Sequence, residues 1–292
     1  MGRRSPLTPG SVAQLLLRGR RPQTLVETEE DWLALGAMAE RMLFWCGGSI
    51  LGVRCERNEI RFAVQLGYAS VGAMAHHLSA AYGTRMRRER GWRGPTFRLY
   101  RVIPLDDDSD LDDLVLWLHR PSEGHDAMYT AEAAYLKRSM LSWIDPLPVL
   151  RAMSVNASPA AYQWRKSQPM AASFVRAARS RRRTVLDAPP PESPPRPTMG
   201  AIARAVADHC GVALEDMRSD SRKRAAAKAK TVATVLATRN GATVAAAARY
   251  FNRNRSTLSE QAERYRITQP ELFTKAETAL EAWLERDRVA RE

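Results

Sequence analysis

Apolar residues recur three and four positions apart through EDWLALGAMAERMLFW and again through SVGAMAHHLSAAYGTRMRRE, the spacing that lays one stripe along a helix. Between these stretches the period changes. SILGVRCE and EIRFAVQL, joined by Arg57-Asn58, read as two strands of a hairpin, the second alternating apolar and polar positions. DDDSDLDDLVLWLHR predicts a third helix whose opening carboxylates suit the positive end of the helix dipole. Strands and helices mixed in this way predict a small α+β domain, an antiparallel sheet with packed helices. The C-terminal part keeps the helical period throughout. MGAIARAVADHC, RKRAAAKAKTVATVLATR and TVAAAARYF are helices by spacing, with Gly241 as a break, and RSTLSEQAERYR opens on Ser256 and Thr257, both able to cap a helix. A last helix starts near Pro270 and aligns Leu272, Ala276, Leu280, Trp283 and Leu284 on one stripe. That stripe is expected to cap its own domain, with pairing of two chains into a homodimer as the alternative. The second domain is therefore expected to be all-α.

Proline then divides the chain. Asp187–Thr198 (DAPPPESPPRPT) reads as an extended connector. The expected organisation is an N-terminal extension over 1–29, an α+β domain over 30–186, the linker over 187–198, a helical domain over 199–267 and an amphipathic helix over 268–292.

Charge sharpens the division. The 292 residues carry 45 Lys plus Arg against 32 Asp plus Glu, a formal charge of +13. Residues 1–160 hold 20 basic and 18 acidic side chains, residues 161–259 hold 19 and 6, and residues 260–292 hold 6 and 8. A basic block beside a near-neutral domain fits a polyanion footprint, because neutralising phosphates releases condensed counterions. A solvated basic face serving solubility is the plainer alternative. No apolar run reaches the roughly 20 residues of a bilayer span, and VAQLLL near the N-terminus is short for a signal segment. The expectation is a cytoplasmic, nucleoid-associated protein. Cys46, Cys55 and Cys210 are odd in number and scattered, so neither a disulfide framework nor a zinc knuckle is expected.

Residues from Met199 to about Arg266 carry AVADHCGVALEDMRSDSRKR, KAKTVATVL and RYFNRNRSTLSEQ in order. In these segments the chain resembles the C-terminal DNA-binding domain of the bacterial replication initiator DnaA. That resemblance implies a basic loop in the minor groove and a helix-turn-helix whose second helix meets the major groove. It places Arg222, Lys223 and Arg224 on the loop, Lys228 and Lys230 on a helix that meets phosphates and base edges, and Arg253, Asn254, Arg255, Ser256 and Thr257 on the family's Arg-Asp-His-Thr-Thr signature. Asn for Asp removes a carboxylate that can accept from cytosine, and Arg for His favours guanine, so duplex binding is expected with a sequence preference unlike the initiator's. Ser256 and Thr257 at the helix start suit phosphate or a thymine methyl.

From about Glu30 to Met170 the chain resembles the REP-associated tyrosine transposases, through ILGVRCERNEIRFAVQ, AHHLSAAYGTRMRRERGWRGPTFRLYRVIP, DLDDLVLWLHR and YLKRSMLSWIDPLPVLRAM. That family needs a His-hydrophobic-His pair to bind a divalent cation and a tyrosine to attack the phosphate. Glu59 and Arg61 stand at the two histidine positions, and Trp117 stands at the tyrosine's. A guanidinium has no lone pair for a metal and an indole has no ionisable hydroxyl. The resemblance therefore implies a nuclease-inactive, domesticated relative with no catalytic residues, metal or cofactor, serving as a regulator of transcription or of genome elements. Rival readings are an active single-strand transposase with a relocated site, drawing on His119, His125 or Tyr82, Tyr100, Tyr129 and Tyr135, and a partner-docking N-terminal domain. His76 and His77 read as packing or phosphate contacts, and the acids Asp106, Asp107, Asp108, Asp110, Asp112 and Asp113 as a solvated helix start. Arg85, Arg87, Arg88, Arg90, Arg93 and Arg98 interleave with Trp92, Phe97 and Tyr100, a pattern suited to single-stranded or hairpin DNA, with core packing of Trp92 and Phe97 equally open.

Overall fold

The structure, a computed structural model, describes residues 7–20, 24–98, 100–105, 110–120, 129–139, 141–170, 196–221 and 223–289. The chain forms two compact units, the second comprising Pro194–Glu292 together with Phe44–Gly47. Of the Pro-rich connector, residues 187–195 lie outside the described residues.

In the first unit, an antiparallel five-stranded sheet has the order β4-β1-β3-β2-β5, with β1 Val12–Arg18, β2 Ser49–Glu56, β3 Glu59–Gln65, β4 Arg101–Pro104 and β5 Tyr129–Thr130. The expected hairpin is β2 and β3 around Arg57-Asn58, with Glu56 opposite Glu59 and Arg54 opposite Arg61. The expected N-terminal extension is corrected. Its VAQLLLR segment is β1, paired with β3 along its length and with β4 on its other side. Interior position explains the run: Val12 through Leu17 are all buried, so alternation disappears.

Period two assigns the faces. Leu15, Leu17, Phe62, Ile60, Val53 and Cys55 share one face, and Leu16, Arg18, Glu59, Arg61, Arg54 and Glu56 share the other. α1 (Glu29–Cys46) and α2 (Val71–Arg90) are the helices expected from the two amphipathic stretches. Ser70 caps α2 by accepting from the Ala73 amide, Gly91 ends it at φ 61°, and Tyr82 meets Phe97 at 5.8 Å between centroids. Phe97 is thus core. α3 (Leu111–His119) lies on the second face above Gly52, where an added Cβ would sit 3.4 Å from Leu118 and 3.5 Å from Val115. The short helices α4 (Glu132–Tyr135), α5 (Leu147–Met153) and α6 (Pro159–Ser167) follow among the described residues of the unit.

The second unit is all helical: α7 Met199–Cys210, α8 Leu214–Arg218, α9 Arg224–Arg239, α10 Val244–Tyr250, α11 Arg255–Thr268 and α12 Glu271–Val289. α9 runs through its centre. Small residues allow this, with Ala226, Ala229, Ala233 and Ala237 buried and the Thr231 and Thr234 hydroxyls returned to the carbonyls of Ala227 and Lys230 at 2.9 and 2.8 Å. Ile202, Val206, Met217, Val232, Leu236, Phe251 and Leu258 fill the surrounding core. α12 buries Phe273, Ala276 and Leu280 and half-buries Leu272, Trp283 and Leu284, so its stripe packs within this unit. No helix among the described residues is long and apolar enough to cross a membrane.

Candidate nucleic-acid interface

α10 and α11 form a helix-turn-helix whose geometry follows from three local choices. Thr243 caps α10 by accepting from the Ala246 amide, while Ala247 and Phe251 bury its inner side. Asn252 turns the chain at φ 49°, a left-handed conformation that Asn tolerates better than most residues. Asn254 then starts α11, its side-chain oxygen accepting from the Ser256 amide at 2.9 Å and the Ser256 hydroxyl at 2.8 Å. This corrects the expectation that Ser256 or Thr257 caps the helix. Asn254 lies nearer the N-terminus in extended conformation, where a side-chain oxygen can reach the first amides. Leu258, Ala262 and Tyr265 fix the buried side of α11.

The opposite side presents cations. Arg249, Asn252, Arg253, Asn254, Arg255 and Thr257 line an open hollow beside Ala245 and Ala248. Arg249 and Arg255 are exposed and Arg253 half-buried, and none of the three forms an ion pair among the described residues. A guanidinium kept from protein carboxylates retains all five donors for phosphate or a guanine edge.

Of the basic loop, Arg222 lies outside the described residues. Lys223 is exposed and pairs with Asp216 at 3.1 Å, and Arg224 opens α9 without an ion-pair partner among the described residues. Cations at this helix end oppose its dipole. Lys228 is half-buried with its ammonium on Gln269 Oε1 at 2.7 Å. Lys230 corrects the expectation of a phosphate contact. Its side chain is fully buried and its Nζ donates to the carbonyls of Ser219 at 2.5 Å and Ser221 at 3.5 Å. Burial and the charge of Arg253 push its pKa down. Lys230 therefore holds the loop from behind, and Asn252 Nδ2 holds it from the turn by donating to Asp220 Oδ1 at 2.5 Å. That brace between loop and turn had no sequence signature beyond two polar residues at ordinary loop positions.

In the first unit the structure brings Glu59, Arg61 and Trp117 together. Arg61 is ion-paired with Glu59, and its guanidinium lies 4.8 Å from the centroid of the Trp117 ring. Arg54 beside them is buried, paired with Glu56 at 2.9 Å and donating to the Arg120 carbonyl at 2.6 Å. Among the described residues a divalent cation does not fit: Glu59 and Glu56 are each neutralised by a guanidinium that would repel a metal.

The remaining candidates are occupied in other ways. His119 is buried, its Nδ1 2.9 Å from the Tyr162 hydroxyl, which itself donates to Glu132 at 3.4 Å. Burial, helped by Lys166 and Arg54, pushes His119 down to about 3. Tyr82 donates to the Leu25 carbonyl at 2.6 Å and Tyr135 to that of Leu51, and burial raises both phenols. Tyr129 stacks on Trp32 at 5.5 Å. His76 and His77 stand exposed on α2, contrary to the packing expectation. Asp112 and Asp113 are not a solvated start, since Arg165 bridges both at 2.5 Å. Asp106, Asp107, Asp108 and His125 lie outside the described residues. In the Arg-aromatic segment, Arg85 and Arg90 are drawn to Asp31, and Arg88 to Glu89.

No curated protein matches the chain in sequence. A solved structure described as a REP-associated tyrosine transposase bound to a REP hairpin is similar with a TM-score of 0.34 and 9% identity, over 41% of this chain and 70% of that one. Residues 199–277, which span the helix-turn-helix and its basic loop, match the family of the bacterial DnaA protein helix-turn-helix, a DNA-binding domain.

Proposed function

We propose that the protein binds duplex DNA at preferred sites through α10, α11 and the loop before α9, and acts as a regulator of transcription or of genome elements. The observation that carries this is the match of residues 199–277 to a helix-turn-helix family, joined to a turn whose Arg249, Arg253 and Arg255 are left without carboxylate partners among the described residues. Arg253, Asn254, Arg255, Ser256 and Thr257 meet DNA at the start of α11, with Arg255 suited to guanine O6 and N7. Arg222, Lys223 and Arg224 track phosphates, Lys228 contributes from the half-buried edge of α9, and Lys230 shapes the loop without touching DNA. The first unit is proposed to be without nuclease activity, supported by the pairing of Glu59 with Arg61 and the seat of Arg61 on Trp117.

Genome-wide mapping of DNA bound by the wild type and by an Arg253→Ala, Arg255→Ala variant tests the first claim. Discrete sites that vanish in the variant are expected, and an unchanged map refutes it. Incubating the protein with Mg²⁺ or Mn²⁺ and a single-stranded hairpin tests the second, since a nicked strand or covalent adduct would show a working nuclease.

A further inference from the structure

The sheet of the first unit carries a concentration of arginine that its own fold does not explain. Antiparallel pairing of Gly19 with Phe97, with Arg98 N donating to Arg18 O at 2.8 Å and Arg20 N to Thr96 O at 2.9 Å, sets Arg98 directly across from Arg18. Two positions back along β1, Leu16 pairs with Arg101, one residue beyond the partner that an unbroken register would give. Leu16, Arg18 and Arg20 alternate with period two on β1 and its extension, and the pairings set Arg98 and Arg101 on their face, which also carries Arg61 and Arg54. Phe97, between the register positions, turns to the other face and meets Tyr82.

Among the described residues of the sheet, the carboxylates on this face are Glu59, across from Arg18, and Glu56, across from Glu59. Both are already engaged, Glu59 by Arg61 and Glu56 by Arg54. Arg18, Arg20, Arg98 and Arg101 form no ion pair among the described residues, and all are exposed except Arg18, which is half-buried. Like charges directly opposite one another in a sheet destabilise it. Arg18 faces Glu59 on its β3 side, but that carboxylate is taken by Arg61, so the opposition of Arg18 and Arg98 is left uncompensated among the described residues.

We propose that this face is a second DNA contact, which holds the phosphate backbone of duplex DNA without reading its sequence. The four arginines lie along β1, β4 and the paired segments beyond their ends, and each guanidinium presents a fork of donors matched to phosphate oxygens. Trp117, packed on this face, is half-buried beneath Arg61, so among the described residues the surface offers cations and not that ring as a stacking platform. That chemistry favours a duplex, whose bases are already stacked, over a single strand. The proposal rests on the reading that the protein is a DNA binder, but it concerns residues remote in sequence from the helix-turn-helix and is tested separately.

The experiment uses the full chain and a random-sequence duplex, with affinity followed by fluorescence anisotropy across a salt series. An Arg18→Gln, Arg98→Gln, Arg101→Gln variant is expected to bind the duplex at least tenfold more weakly, with the slope of log K against log salt shallower by about 0.9 for each phosphate it no longer neutralises. Its thermal midpoint is expected to be no lower than that of the wild type, because repulsion between opposed arginines is relieved. The corresponding triple Arg→Lys variant keeps the charge and should keep most of the slope. Arg253→Ala, Arg255→Ala protein should retain random-duplex binding, and combining both sets of changes should remove it. Unchanged affinity and slope in the Gln variant overturn the proposal, as does a lowered melting temperature at wild-type slope, which marks a structural role. A larger loss on single strands than on the duplex overturns the choice of ligand. Loss of all binding in the Arg253→Ala, Arg255→Ala variant with no effect of the Gln variant leaves the helix-turn-helix reading standing and removes this one. Should the triple variant not fold, Arg98→Gln and Arg101→Gln singly, both at exposed positions, carry the same test.

Discussion

The turn between α10 and α11 and the cluster around Arg61 are both rich in arginine, and they treat it in opposite ways. At the turn, Arg249, Arg253 and Arg255 surround a hollow with no carboxylate among its lining residues. Around Arg61, guanidiniums are absorbed by Glu59, Glu56, backbone carbonyls and an indole ring. The number of basic residues is thus a poor guide to where a polyanion binds. What distinguishes the two places is whether each cation's donors are already satisfied, since a satisfied guanidinium must break an existing pair before it meets phosphate.

Substitutions can sharpen or break this contrast. The largest effect is expected at Lys230, which belongs to the satisfied class although it lies in the unit of the helix-turn-helix. Lys230→Met leaves the Ser219 and Ser221 carbonyls without their donor and should lower stability by about 1–3 kcal/mol in urea unfolding. Lys228→Met, a partly exposed position, should cost well under half of that. Equal losses would erase the distinction.

An acid titration probes the first unit next. Its His119 is neutral in the fold with a pKa of about 3, against an ordinary 6.5. The unfolded chain takes up the proton first, so the contribution of neutral His119 is complete above about pH 6.5 and is lost as pH falls from there toward 3. Urea midpoints at pH 7, 5 and 4 should fall steadily, and His119→Gln should flatten that dependence. A parallel decline in both proteins would assign the acid sensitivity elsewhere.

A smaller loss is expected at the start of α11. Asn254→Ala removes the cap and should cost about 1 kcal/mol, visible as faster hydrogen exchange at the Ser256 amide. The smallest effect is expected for Arg61→Ala, about 0.5–1 kcal/mol, from one cation–π contact and one largely buried ion pair. A loss of several kcal/mol would mean that the cluster is a keystone of the sheet.

How much of this was legible in the chain depends on the range of the interaction. α2 could be read from its stripe and Ser70, and the β2–β3 hairpin from Arg57-Asn58, because both are set by neighbours in sequence. β1 could not be separated from other apolar runs, since a strand buried on both faces has no alternation to show. Lys230 carried a local signal that was available: two residues apart on a helix is about 200°, so Lys228 and Lys230 cannot both face one ligand. The opposition of Arg18 and Arg98 had none, because it depends on the register between β1 and a segment some 80 residues away. Arg253 and Arg255 are legible through the resemblance, whereas their lack of carboxylate partners among the described residues is visible only in three dimensions.

The hydrogen bond from Asn252 to Asp220 has a thermodynamic corollary. It ties the loop before α9 to the turn before α11, so whatever orders one segment lowers the conformational entropy left in the other. Linkage is reciprocal: under the proposed function, a phosphate captured at the loop favours binding at the turn by the same factor with which a base contact at the turn favours the loop. Asp220→Ala and Asn252→Ala are then expected to combine non-additively in DNA affinity, their shortfall from the sum measuring cooperation between loop and turn.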